Sequence, residues 1–473
     1  MKHLEKLIRQ IASRINTILL KHGFDADLHI RKCIPLDKLN KFYAFYGITS
    51  FHPPGFYFRH SNLAGSYFLG KCSVENSILY KSDIRGDELK AKGDIFHHQG
   101  SDIVMYDDEV IRIKGSFLIK TLVHNFSHNP DNLEEFLILS TVSMHYANIH
   151  GSPVEGSFLG PFSTIDLTSL HNCVVGAYAY LQAGEVSNKL IKPGQIRVSN
   201  GDMFDFSYRF SSKALDNYIS SEPGKRPRGI FIDFIENRKK DFQNLFDVVY
   251  LKTSDKIPDS ASVNRYAVIK GETHIGENVL VAQRAYLENA WLGKGANAQE
   301  NCYIINSRLA GSNVTAHGAK IIHARLGNKV FVGFNSFLQG RADYPLTVGK
   351  ETIIMPHTII DLQEPLNIPP GHLVWGLIKK QKDLKKHSIS LVELSMINGE
   401  LTRGLMHFKG SGSAFVNAFQ DRIEHILAAN GAYFDGRKNK GHAQMERNIS
   451  FNIIQPYPRG PLEGLYPTIA IHS

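Results

Sequence analysis

Between residues 263 and 360, aliphatic side chains return at intervals of six and five. A strand would return them at two and a helix at three and four. Val263, Ile269, Ile275, Val281 and Leu287 stand six apart. A step of five leads to Leu292, followed at sixes by Ala298 and Ile304. The same group runs through Leu309, Thr315 and Ile321, and again through Leu326, Val332 and Leu338. After a short insertion around Asp343, Tyr344 and Pro345, the pattern resumes at Val348, Ile354 and Ile360. Each uninterrupted group spans 17 residues. A second column keeps the same phase: Ala285, Cys302, Ala319, Ser336 and Thr358, all small, stand four residues after the middle aliphatic.

A chain that makes a short strand, turns a corner and repeats accounts for both columns. One aliphatic fills the middle of each face, and a small residue fits where the coil narrows. Three faces close one coil, and coils stack at the ~4.8 Å strand spacing. The expected fold class is therefore mainly β, a parallel β-helix with a continuous internal ladder.

This register resembles that of the hexapeptide-repeat transferase superfamily. The resemblance implies a left-handed coil, whereas local sterics favour right-handed crossovers. NIPPGHLVWGLIKK is similar to the superfamily's closing Ile-Pro-Pro-Gly…Gly element, with Leu377 and Ile378 replacing the usual Pro-Ala after the last glycine. The match covers residues 257–378, about a quarter of the chain. Acyltransferases, γ-class carbonic anhydrases and non-catalytic modules share this fold, so the resemblance specifies architecture more tightly than activity.

A looser version of the pattern appears earlier, with Leu63 and Leu69, Leu159 and Ile165, and Val175 and Leu181 each six apart. It predicts a second, irregular β-helix interrupted around 95–145. Leu4, Leu7, Ile8, Ile11, Ile15 and Ile18 form a helical apolar stripe that packs on its own domain or on a partner subunit. Residues 230–250 and 414–431 also read as helices, the second capped by Gly431. The expected organisation is an N-terminal helical segment (1–52), an irregular β-helix (53–200), a helical connector (201–254), a regular left-handed β-helix (255–378) and an α-helical C-terminal segment (379–473).

Composition changes this picture little. The 473 residues allow about three domains, and 42% hydrophobic with 21% charged residues excludes disorder throughout. No apolar run approaches the ~18 residues of a membrane span. The charged N-terminus lacks the marks of a secretory signal, so a cytoplasmic protein is expected. Four scattered cysteines argue against a disulfide framework or a structural zinc site. The net charge of +9 is a mild bias. Its densest run, Lys379 to Lys386, reads as a solvated helix face, and no nucleic-acid motif stands beside it. Glycines at coil starts, such as Gly276 and Gly293, meet turn requirements, and no phosphate-binding loop is present.

Candidate chemistry follows from equal offsets, which stack in columns. Gln283, Glu300, His317, Phe334 and Pro356 form one column, and Asn289, Asn306, His323 and Gly340 another. Both are expected near corners, solvated or facing a neighbouring subunit. The leading reading, implied by the resemblance, is an acyl-CoA-dependent acyltransferase acting on a sugar or small metabolite. His323 or His317 would be the general base, with Asn306, Asn335, Gln339 and Glu300 binding substrate. Donor and acceptor would meet between subunits of a homotrimer, with acyl-CoA as co-substrate and neither a tightly bound cofactor nor a metal. His323 stands three residues before Leu326, where the acyltransferase segments it resembles place four. A second reading is a γ-carbonic-anhydrase-like hydratase using His317, His323 and Glu300 as a metal set. Its histidines are six apart instead of five, and Asn306 and Asn289 stand where a further histidine is needed. The third is a non-catalytic binding or assembly module. His124 and His128 read as parts of a polar loop, and Asp166 and Glu155 as isolated carboxylates.

Overall fold

The computed structural model describes residues 2–30, 33–39, 44–48, 55–98, 101–126, 136–246, 257–445, 450–454 and 469–470. It divides into two compact units. One comprises residues 1–195, 211–232 and 449–473; the other comprises 196–210 and 233–448.

The first unit is built on a parallel β-helix with three strand ladders. One runs through Ser66–Gly70, Asp83–Glu88, Leu122–Phe126, Asn148–His150, Thr164–Asp166 and Tyr180–Gln182. Phe68, Ile84, Val123, Ile149, Ile165 and Leu181 stack along its inner face. The coil interruption is narrower than expected. Ile111–Lys114, Phe117–Ile119 and Leu122–Phe126 all pair in the ladders. Among the described residues an excursion lies between residues 88 and 111 and carries the antiparallel hairpin Ile95–His98/Ser101–Val104, while 127–135 lie outside the described residues. The helix Lys2–Leu19 packs on this unit's own coils. Leu4, Leu7, Ile11 and Ile15 share a core with Ile78, Phe117, Val142, Phe158 and Val174, which project from a second ladder.

The second unit contains the regular left-handed β-helix. Ile275, Leu292, Leu309, Leu326, Val348 and Ile368 stack in register along one ladder. Ile269, Leu287, Ile304, Ile321, Leu338, Ile360 and Ile378 stack along another. Each coil turns through left-handed backbone at residues such as Asn278, Gly295, Ser312 and Lys329 at one corner, and Asn301, Gly318 and Asn335 at the next. That conformation costs an ordinary L-residue roughly 1–2 kcal/mol, which favours glycine and asparagine there.

The outlying segments differ from expectation. Residues 230–250 form two short helices, Ile230–Glu236 and Lys239–Phe246, and the remainder lies outside the described residues. The stretch read as a helical connector contains the strand Phe204–Arg209, which pairs with Met406–Ser411. The latter forms a hairpin with Asn398–Arg403, so the C-terminal segment is not wholly helical. Its main helix, Gly412–Ala429, places Phe415 against Phe206 and Phe408, and Phe419 against Phe331 of the coils. Among the described residues, no helix is long and apolar enough to cross a membrane.

Leu309 lies fully buried in the middle of its ladder. Leu309→Ala is expected to destabilise the protein by about 2–5 kcal/mol, read as a lower denaturation midpoint in urea.

Candidate active site

The two histidines singled out in the second unit occupy different environments. His323 has φ +47° and forms a corner of its coil, directly above Asn306 at φ +48° and Asn289 at φ +49°. The asparagines serve the turn: Asn289 Nδ2 donates to Asn306 Oδ1 at 3.1 Å, and the Glu272 amide donates to Asn289 Oδ1. Asn335 is likewise a left-handed corner residue. Its Oδ1 lies over Gly318, 2.3 Å from where a Cβ would stand, so a side chain there would have to displace the Asn335 amide. Gln339 lies on an outward strand position, in register with Ile322 and Asp361.

His317 sits beside a corner with its side chain 1% exposed, and Glu300, one coil below, is 3% exposed. Of the two alternatives for this column, solvation is incorrect: Gln283, Glu300, His317 and Phe334 are all buried. His317 Nδ1 lies 2.8 Å from Glu300 Oε2. Its ring faces Phe334, with centroids 5.3 Å apart, and the Arg422 guanidinium lies 5.9 Å from the Phe334 ring. The carboxylate stands within ion-pair distance of Nδ1 but outside hydrogen-bond geometry, and its charge favours a proton on that nitrogen, with Nε2 as the basic one. Among the described residues, no ion pair of this kind involves His323. His317, His323 and Glu300 do not form a set within metal-coordinating reach of one another.

Lys320 stands on the other side of the same corner and was not singled out from the sequence. It is buried, and its Nζ donates to the Gly318 carbonyl at 2.6 Å. Tyr303 and Phe337 flank it in register, and Phe234 lies 5.2 Å and 6.1 Å from those rings. Burial disfavours the ammonium and pulls its pKa down to about 7. Burial also pushes the Cys302 thiol up to about 12, leaving it a structural residue of the small-residue column.

The first unit holds a second polar cluster. His150 Nδ1 lies 2.8 Å from Asp166 Oδ1, and the Tyr180 hydroxyl donates to Asp166 Oδ2 at 2.5 Å. His124 stands in a strand rather than a polar loop, with its Nε2 3.6 Å from Glu88. His128 lies outside the described residues. Asp166 is thus not isolated, and Glu155 faces His171 at 4.0 Å. The signal for both pairings is a step of 16, the coil length here, which separates His150 from Asp166 and Glu155 from His171.

The family described as "hexapeptide repeat including loop" matches residues 101–223, which contain this second cluster. A solved structure described as a "putative acetyltransferase" from Desulfovibrio desulfuricans G20 is 54% identical. The likeness covers 99% of this chain and 98% of that one, with a TM-score of 0.91. The chain therefore belongs to the hexapeptide-repeat transferase superfamily. A "putative acetyltransferase" from Bacillus cereus is 14% identical over 37% of this chain and 91% of its own, with a TM-score of 0.23. A hexapeptide transferase family protein from Anaplasma phagocytophilum is 18% identical over 37% and 92%, with a TM-score of 0.25. No curated protein sequence matches significantly.

The Lys320 environment gives a pH-dependent stability. Below pH 7 the lysine is protonated in both states, and its burial penalty is fully felt. Between about 7 and 10.5 the unfolded chain binds more protons, so stability rises with pH. Lys320→Met is expected to raise the melting temperature at neutral pH and to flatten its rise toward pH 10.

Proposed function

We propose that the protein is an acyltransferase that moves an acetyl group from acetyl-CoA to a hydroxyl or amine of a sugar or small metabolite. The observation that carries this reading is the Glu300–His317 pair, 2.8 Å apart, in a chain belonging to a transferase superfamily. The described name of its 54% identical relative supports the acetyl group as cargo.

In this reading Glu300 holds the His317 Nδ1 proton, and Nε2 takes the proton of the acceptor O–H or N–H as the acceptor attacks the thioester carbonyl. The new C–O or C–N bond forms, the C–S bond breaks, and the thiolate leaves as coenzyme A after recovering a proton. His317 is the better base because a carboxylate orients it; His323 serves the corner. Burial of His317 keeps bulk water from competing as acceptor. It also requires that substrate binding open the corner. A homotrimer, with donor and acceptor held between subunits, is part of the same proposal.

Release of free thiol from acetyl-CoA, screened against amino sugars, hydroxylated sugars and small amines, tests this. His317→Ala is expected to lower turnover about 100-fold or more, and Glu300→Gln by a smaller factor with a shifted pH profile. His323→Ala should chiefly lower the melting temperature. Unchanged turnover in His317→Ala would remove the assignment.

A further inference from the structure

The construction of the polar cluster in the first unit points to a bound ligand. His124, His150 and Asp166 are in register on three successive strands. Val123, Ile149 and Ile165 turn inward at the preceding positions, so strand alternation sends the three polar side chains to the outer face. That face is nonetheless buried: His124 is 7% exposed, His150 8% and Asp166 0%.

The imidazoles meet edge to face, with centroids 5.3 Å apart and planes at 77°. A ring nitrogen of one lies within 4.8 Å of a ring nitrogen of the other. Two histidine nitrogens on one ion, each about 2.0–2.1 Å from it, stand somewhat closer than that limit. Asp166 supplies the independent observation. It receives His150 Nδ1 on one oxygen and the Tyr180 hydroxyl on the other, which fixes the proton on Nδ1 and makes Nε2 the electron-pair donor. A carboxylate behind a histidine, itself anchored by a further hydrogen bond, is the arrangement that orients imidazoles toward metal ions. Glu88, 3.6 Å from His124 Nε2, places a second carboxylate beside the other ring.

We propose that His124 and His150 bind a divalent transition-metal ion, with Asp166 and Tyr180 as positioning residues. Paired neutral imidazoles suit zinc, cobalt, nickel, iron or copper and disfavour calcium and magnesium. Two protein nitrogens leave coordination positions for water or for an oxygen-bearing ligand.

The test uses the full chain, stripped with chelator, reloaded with Zn²⁺ or Co²⁺ and freed of excess ion. One equivalent per chain is expected, together with a Co²⁺ absorption spectrum characteristic of nitrogen ligation. His124→Gln and His150→Gln, which keep a polar side chain of similar bulk, should each weaken binding about 100-fold or more. Asp166→Asn should weaken it about 10–100-fold. Because Asp166→Asn perturbs folding as well, the melting temperature with and without Zn²⁺ is read for each variant. The wild type should be stabilised by the ion and the histidine variants should not. Three outcomes would overturn the proposal: substoichiometric metal in the reloaded wild type, a spectrum without nitrogen ligation, or equal retention in both histidine variants. None of these readouts measures acyl transfer, so failure of this proposal and failure of the acyltransferase reading are distinguishable.

Discussion

Parallel pairing of each coil with the next governs this protein. At a strand spacing of ~4.8 Å, residues one period apart become nearest neighbours, whatever their chemistry. On the inner face the consequence is repetition, as in the ladder from Ile275 to Ile368, because each coil offers its neighbours the same environment. On the outer face the same rule creates polar pairs. Glu300 meets His317 at a step of 17, and His150 meets Asp166 at a step of 16. Neither pair needs a loop to assemble it, so both are positioned by the register of the coils.

Corners impose the second constraint. Each coil must turn through left-handed backbone, and the residues there answer first to that geometry. Asn289, Asn306, Asn335 and His323 all have φ near +50°. Short polar side chains tolerate this conformation by hydrogen-bonding locally, as Asn289 and Asn306 do. A polar residue at such an offset resembles a substrate ligand in the sequence while its structure is explained by the turn. His317 differs because it stands beside the corner, with a carboxylate stacked beneath it.

How much was legible follows from where the period is unbroken. The C-terminal β-helix is readable because four coils pass without insertion, so one phase fits Ile275 through Leu338. In the first unit the excursion between residues 88 and 111 shifts the phase, and the coil shortens to 16. The aliphatics there remained visible, but the partner of Asp166 did not. Glu300 and His317 share one column of the sequence, yet an offset reports only which way a side chain points. What covers it, and hence its burial, comes from segments distant in sequence. The same limit hid Lys320, whose flanking rings are capped by Phe234 from a helix over 80 residues earlier. The hairpin Asn398–Arg403/Met406–Ser411 escapes sequence reading because its first strand buries no residue and carries no apolar alternation.

The claim that coil stacking builds these polar pairs is tested most directly by a double-mutant cycle on stability between Glu300 and His317. The single changes Glu300→Gln and His317→Gln and their combination would be compared by denaturant unfolding at neutral pH. Stacked neighbours sharing a buried polar contact predict a coupling energy of roughly 0.5–3 kcal/mol. Strict additivity would mean that the two side chains do not meet, and that residues 17 apart are not neighbours on the outer face.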